Sequence, residues 1–470
     1  MSFEYTLLIA GQRVAGDRTV AVVDPATEAV FVEAPCASPE QLDAAIQAAH
    51  NAFPAWSRTP IDARRTLLLR IADIVEADTD FLSPLLVHEH GMTLQSARIE
   101  VMVFAIKLRT AAGEALPEHD IDVGPGRRVS QRLLPLGVVA AIVPWNLPLI
   151  LLATKLGPAL LVGNTLVVKP APTTPLSTLR IGALIADIIP PGVVNIVTDR
   201  NDLGAQLTSH PHVRMIAFTG STATGRRIAA ASADSLKRHT LELGGNDPAL
   251  VLADADLDHA ARQIFDGAFL NSGQACIAVK RVYAHASIHD VLVTKLAGLA
   301  EAAITGNGFS SGVEFGPLQN RAQYDRVKAI LTDAAACGAT IRSGPIPAGP
   351  GFFIAPTIVS DIPDTARLVT EEQFGPLLPI LRFSDEEDAI ARANDSLYGL
   401  AASVFSADTE RALSIASRIE AGTVTVNKLM EFHPHIPFGG AKQSGIGTEN
   451  GAEGLAEFGQ IQIIDIAVAA

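Results

Sequence analysis

Residues 136–154 read LGVVAAIVPWNLPLILLAT, and the fold turns on how this stretch is taken. Its only strongly polar side chains are Asn146 and the terminal Thr154, and about twenty apolar residues suffice to cross a bilayer. Two prolines argue against that reading. Pro144 and Pro148 bracket Asn146; each lacks a backbone donor and disfavours helix at the residue before it. The stretch instead reads as a buried strand over 138–143, a turn about Asn146, and a helix from Pro148.

The same alternation continues downstream. Residues 165–169, 193–197, 213–218 and 240–243 are short β-branched runs, separated by helical runs at 148–162, 175–189, 202–209 and 221–233. Strands apolar at consecutive positions belong to a parallel sheet covered on both faces. The pattern predicts a doubly wound α/β unit. A second series follows: strands at 248–252, 281–285, 400–405 and 423–426, with helices over 257–270 and near 290–303. It predicts a second α/β domain, with the boundary near Gly244-Gly245. The first 120 residues hold an extended start and helices near 39–55, 62–78 and 93–113. Residues 116–128, rich in Pro, Gly and charge, read as an excursion from the core. The tail, 460–468, is a lone β-forming run whose partner must come from that excursion or from another subunit.

Composition narrows the function. At 470 residues the chain exceeds a single typical domain. Its 36 basic and 50 acidic side chains give a net charge of −14, the wrong sign for displacing counterions from nucleic-acid phosphates. Hydrophobic residues at 48% and charged ones at 18% predict a large core rather than disorder. Cys36, Cys276 and Cys337 are odd in number and lack CxxC spacing. That argues against a disulfide framework or a zinc site and for a reduced, cytoplasmic setting. Residues 1–14 carry no basic n-region, so a secretory leader is not expected there.

Four places could carry chemistry. Cys276 follows a helix end broken by Gly273, with small neighbours Ala275 and Ala278 that leave room for a substrate; a free cysteine is otherwise a small buried hydrophobe. At Phe218-Thr219-Gly220-Ser221 a strand runs into a turn and a helix opens, which aims backbone N–H groups at a phosphate or leaves Ser221 as a plain cap. The next glycine, Gly225, makes the spacing G-x-x-x-x-G, without the Lys-Ser/Thr of a P-loop. Glu242 ends a strand before two glycines, either as a solvated carboxylate or beside something that approaches the backbone closely. Asn146 is one amide in an apolar segment, a helix cap or a donor to a substrate oxyanion.

Taken in order, the motifs PWNLP (144–148), KP (169–170), FTGS (218–221), ELGG (242–245), GQAC (273–276), EEQFGP (371–376) and PFGGAKQSG (437–445) make the sequence resemble the NAD(P)-dependent aldehyde dehydrogenase superfamily over nearly its whole length. Cys276 lies 34 residues beyond Glu242, and Arg281 follows it, also as in that family. The resemblance implies a Rossmann-like dinucleotide-binding domain (1–115 and 136–243), an α/β catalytic domain (244–443) and a small β oligomerisation element (116–135 and 444–470). It implies Cys276 as nucleophile, Asn146 as oxyanion donor with the Cys276 N–H, and Glu242 as general base. Lys169 and Glu372 would hold cofactor ribose hydroxyls, Phe374 would pack beside the nicotinamide, and Gly220, Ser221 and Gly225 would meet the pyrophosphate. Trp145 and Leu243 complete the implied cofactor contact.

Cofactor choice turns on the residue three beyond Lys169, where an acidic side chain would favour NAD. Here it is Pro172, and no extra basic residue stands beside Lys169 to attract a 2′-phosphate. NAD is expected, with NADP left open. By resemblance the substrate pocket is lined by Leu147, Leu151, Thr154, Ile277, Phe432 and Phe438. With no arginine at Thr154, an uncharged aliphatic or aromatic aldehyde is expected. His433 and His435 form an H-x-H pair in the same loop; without a third ligand a surface or entrance role is favoured and no metal is expected. Two rivals stand beside this reading: a coenzyme-A-acylating relative, against which Glu242 speaks, and a catalytically idle homologue acting as a binding protein, against which intact Cys276, Asn146 and Glu242 speak. A homodimer or homotetramer is implied, with no membrane or nucleic-acid partner.

Overall fold

The strand expected at 138–143 is Val138–Ile142, and it stands inside an eight-stranded sheet. The structure, a computed structural model, describes residues 4–124, 126–431 and 433–468. Across this sheet the order is Gln12–Val14, Leu7–Ile9, Val194–Ile196, Thr165–Lys169, Val138–Ile142, Val213–Thr219, Arg238–Glu242 and Gly445–Ile446. The five inner strands are parallel. The chain steps outward from Val138–Ile142 in one direction, then returns to start outward again on the other side. That reversal opens a crevice at the carboxyl ends of Val138–Ile142 and Val213–Thr219, where ligands of doubly wound sheets bind.

The helix after Asn146 is Pro148–Val162, with Pro148 in its first turn and Gly163 closing it in the left-handed conformation (φ 105°). It is buried nearly all round, as expected of a helix packed between a sheet and several other helices. That burial accounts for its apolar sequence. No helix among the described residues is long and apolar enough to cross a membrane.

A seven-stranded sheet forms the second unit, in the order Thr340–Ser343, Thr357–Ser360, Leu377–Phe383, Val279–His285, Asp247–Val251, Ala401–Phe405 and Thr423–Val426. Three of these strands, Thr340–Ser343, Thr357–Ser360 and Leu377–Phe383, go beyond the sequence expectation, as do the helices Thr79–His90, Arg321–Ala336, Glu386–Asn394 and Thr409–Ala416. Pro84 lies inside Thr79–His90 and reads as a breaker in sequence. The helix expected over 175–189 stops at Ile185, where the chain turns before Pro190-Pro191.

At the chain ends one open alternative is decided and one boundary shifts. Residues 116–135 hold strands His119–Ile121 and Arg127–Pro135, and the tail strand Gly459–Ala467 pairs antiparallel with the second of these, from Gly459↔Pro135 to Ala467↔Arg127. The tail therefore finds its partner within its own chain, and the need for a second subunit to pair it falls away. Residues 444–470 also divide: Gly445–Ile446 pairs with Leu241 and Glu242 and becomes the eighth strand of the first sheet.

Candidate active site

The carboxyl edge of one sheet meets the amino edge of the other. Lys169, Thr219 and Glu242 are the last residues of their strands, and Asn146 follows the end of Val138–Ile142. From the opposite side, Asp247 opens its strand, Cys276 precedes Val279–His285, and Glu372 and Phe374 precede Leu377–Phe383. The chain crosses between the sheets in the four residues after Glu242. Gly244 and Gly245 permit this crossing: a side chain at Gly244 would collide with the Glu372 carboxylate, and one at Gly245 would sit 2.7 Å from the Cys276 carbonyl oxygen. The close approach expected beside Glu242 is thus to the loop that carries Cys276.

That loop is held in an unusual backbone. Asn271 (φ 53°), Ser272 (φ 56°) and Gly273 (φ 73°) are left-handed in succession, which costs roughly 1–2 kcal/mol for each of the first two. Compensating contacts surround them. Asn271 Nδ2 donates to the Asn146 carbonyl at 2.9 Å, Ser272 Oγ to Gly316 O at 2.9 Å, and the Gln319 N–H to Gln274 Oε1 at 2.9 Å. Asn146 Nδ2 donates to Gln274 O at 2.9 Å, one of its two amide hydrogens. Cys276 itself is partly exposed. Burial of its surroundings pushes the thiol up to about 12, and the carboxylates of Glu242, Asp247 and Glu372 add to this, while Lys280 acts in the opposite sense.

Glu242 is buried, and neither of its carboxylate oxygens has a hydrogen-bond partner. Burial raises its pKa well above the usual carboxylate range; Glu449 raises it further and Lys155 lowers it. Behind it, Lys155 Nζ donates to Thr219 Oγ1 at 2.6 Å and to Glu449 Oε1 at 2.8 Å, with Lys155 and Glu449 both buried. Sequence reasoning did not single out this pair. The signal was present: Lys155 is the lone charge inside Pro148–Val162, and a buried charge demands a partner.

The residues expected to meet a dinucleotide line the crevice. Ser221 is exposed and caps Thr222–Ala233, its Oγ accepting from the Thr224 N–H at 3.3 Å. Gly225 lets that helix lie against the Leu243 side chain, and the Gly220 N–H donates to Glu242 O at 3.0 Å. Trp145 and Phe374 meet edge to face at 5.4 Å. Glu372 is half-buried, with Oε1 accepting from the Gly245 N–H at 3.0 Å. Lys169 is buried in an ion pair with Asp199 at 2.8 Å, a partner the sequence did not announce. A positive helix end, a carboxylate at the glycine crossing and a half-exposed aromatic face fit a dinucleotide.

The expected pocket residues separate. Ile277 and Phe438 cluster with Met430, Leu400 and Cys276. Leu147 and Leu151 pack into the core of the first sheet. Thr154 donates to Ile150 O at 2.9 Å and lines an open cleft with Lys107, Glu449 and Asn450. Phe432 lies outside the described residues. In the same loop, His435 Nδ1 meets Glu114 Oε1 at 2.9 Å, at the rim of that cleft.

A cysteine loop and a buried carboxylate thus stand together where the two sheets meet. Residues 13–464 match the profile described as the aldehyde dehydrogenase family. The phenylacetaldehyde dehydrogenase of Pseudomonas fluorescens is 39% identical over 472 aligned positions, covering 97% of this chain and 94% of that protein. Human aldehyde dehydrogenase 1A1 is 39% identical, covering 95% of this chain and 91% of its own length. The NAD+ complex of an aldehyde dehydrogenase from Bacillus cereus superposes with a TM-score of 0.96 at 35% identity, over 99% of this chain and 97% of the other. The chain belongs to the aldehyde dehydrogenase family.

Proposed function

We propose that the protein oxidises an uncharged aliphatic or aromatic aldehyde to the carboxylic acid with NAD+, by way of a thiohemiacetal and then a thioester on Cys276. The observation that carries this reading is the unpartnered, buried carboxylate of Glu242 acting on the thiol of Cys276 at the junction of the two sheets. Bound NAD+ supplies a hydride acceptor. The Cys276 thiolate adds to the carbonyl carbon, and the free hydrogen of Asn146 Nδ2 and the Cys276 N–H hold the resulting oxyanion. Loss of hydride from that carbon leaves the thioester. Glu242 then takes a proton from the water that attacks it, releasing the acid and the thiol.

Preference for NAD+ is supported by Pro172 and by Asp199, which neutralises Lys169 where a 2′-phosphate would need positive charge. The apolar cluster about Cys276 supports an uncharged substrate, and the phenylacetaldehyde relative is consistent with it. Three free cysteines suit a reducing, cytoplasmic setting. The exposed Ile461, Ile463 and Ile466 on the edge strand Gly459–Ala467 support a homodimer or homotetramer; a monomer by light scattering would exclude both. The deciding experiment is an aldehyde panel with NAD+ and NADP+, with and without coenzyme A, on the wild type and Cys276→Ala. Acid formation that needs Cys276 but not coenzyme A supports the reading. Activity retained in Cys276→Ala, or an acyl-coenzyme A product, overturns it.

A further inference from the structure

Lys280 is one of the largest fully buried side chains of the molecule. It stands in Val279–His285, the strand that leaves the nucleophile loop. Its Nζ turns back under that loop and donates to the carbonyls of Ala275 at 2.6 Å and Gly273 at 3.4 Å. The same nitrogen lies 5.5 Å from the centroid of the Phe374 ring. From the far side, Gln373 Nε2 donates to the Lys280 carbonyl at 3.3 Å, so the Glu372–Phe374 segment and the cysteine loop share one anchor.

A buried ammonium needs compensating charge. Asp247 faces it from the adjoining strand, paired in register at Val279; neither of its carboxylate oxygens receives a hydrogen bond from a side chain, and burial raises its pKa well above the usual carboxylate range while Lys280 lowers it. Asp247 and Glu372 both favour the charged form of Lys280, which burial opposes. The cluster lies at the edge of the second sheet's core, next to Val279. It sits directly beneath the sulfur-bearing segment.

We propose that Lys280 is a positioning residue for the nucleophile: its ammonium ties down the carbonyls on the Cys276 loop, joins that loop to the Phe374 segment, and sets positive charge beneath the thiol, with Asp247 as counter-charge. The inference rests on Cys276 being the nucleophile. The Gly273 and Ala275 carbonyls accept from Lys280 on either side of Gln274, and a left-handed backbone at 271–273 is held by such an anchor. Three acidic groups, Glu242, Asp247 and Glu372, otherwise press against a thiol that must ionise, and Lys280 acts against them.

The test is the alkylation rate of Cys276 by iodoacetamide, read by peptide mass mapping across pH about 6 to about 10. In Lys280→Met the profile moves to higher pH, and labelling at pH about 7.5 slows about tenfold. In Asp247→Asn, which keeps the shape and removes the counter-charge, it moves to lower pH. A role confined to packing moves neither profile in this opposed way. A folded Lys280→Met protein with the wild-type profile overturns the proposal; if that variant does not fold, an unshifted profile in Asp247→Asn overturns it. Dehydrogenase activity in Cys276→Ala would sink the nucleophile assignment instead, whatever the Lys280 variants do.

Discussion

Lys155 donates to Glu449 at 2.8 Å behind Glu242, and the two partners act on that carboxylate in opposite directions. Removing each alone gives opposed outcomes. Lys155→Met withdraws the charge that favours ionised Glu242, so the acid limb of kcat moves to higher pH. Glu449→Gln withdraws the charge that disfavours it, so the limb moves to lower pH. Movement of both limbs in one direction would show that the pair acts through packing.

Glu242→Gln leaves acylation intact and blocks water attack. Steady-state turnover falls about a hundredfold or more, while a rapid burst of NADH remains. Intact-mass analysis after mixing with aldehyde and NAD+ then shows an acyl adduct. An unmodified protein with slow, burst-free turnover would assign the base to another residue.

Asp199→Asn leaves Lys169 with an uncompensated charge in the crevice while keeping an oxygen that can accept from the Leu203 N–H. The ratio of kcat/KM for NADP+ to that for NAD+ rises, by about tenfold if the exchange is worth 1.4 kcal/mol. An unchanged ratio would mean that the 2′-phosphate does not reach Lys169.

Glu100 is buried in the helical layer, with one oxygen accepting from the Leu149 N–H at 2.8 Å and the other unpartnered. Burial lifts its pKa from 4.5 to about 8. Between those values the folded state binds more protons than the unfolded one, so this group's contribution to stability falls as pH rises through the window. Glu100→Gln should therefore show a smaller drop in urea midpoint than the wild type between pH about 5 and about 8. Parallel curves for the two proteins would remove Glu100 as the cause.

Much of this arrangement was legible beforehand, for identifiable reasons. Thr165–Lys169, Pro148–Val162 and Thr423–Val426 appear with the expected bounds because their edges carry proline, glycine or a clean change of period. Thr79–His90 escaped because Pro84 outweighs its apolar spacing when read locally. At the site, Asn146, Glu242 and Cys276 converge because each follows or precedes a strand end, which a strand–turn pattern exposes. Glu449 and Asp199 could not be seen. Their meaning lies in lysines 294 and 30 residues away, and no spacing rule links such positions. The partner of the tail strand stayed open for the same reason: β-forming character identifies a strand but not which strand it joins.

The C-terminal segment closes the circuit of the site. Gly445–Ile446 borders Glu242, and Glu449 holds Lys155 from behind it, so this carboxylate takes both its flanking strand and its electrostatic setting from residues far along the chain from it. A long loop must therefore close before Glu242 acquires its surroundings, and a substitution that unseats Gly445–Ile446 would disturb the buried carboxylate without touching it.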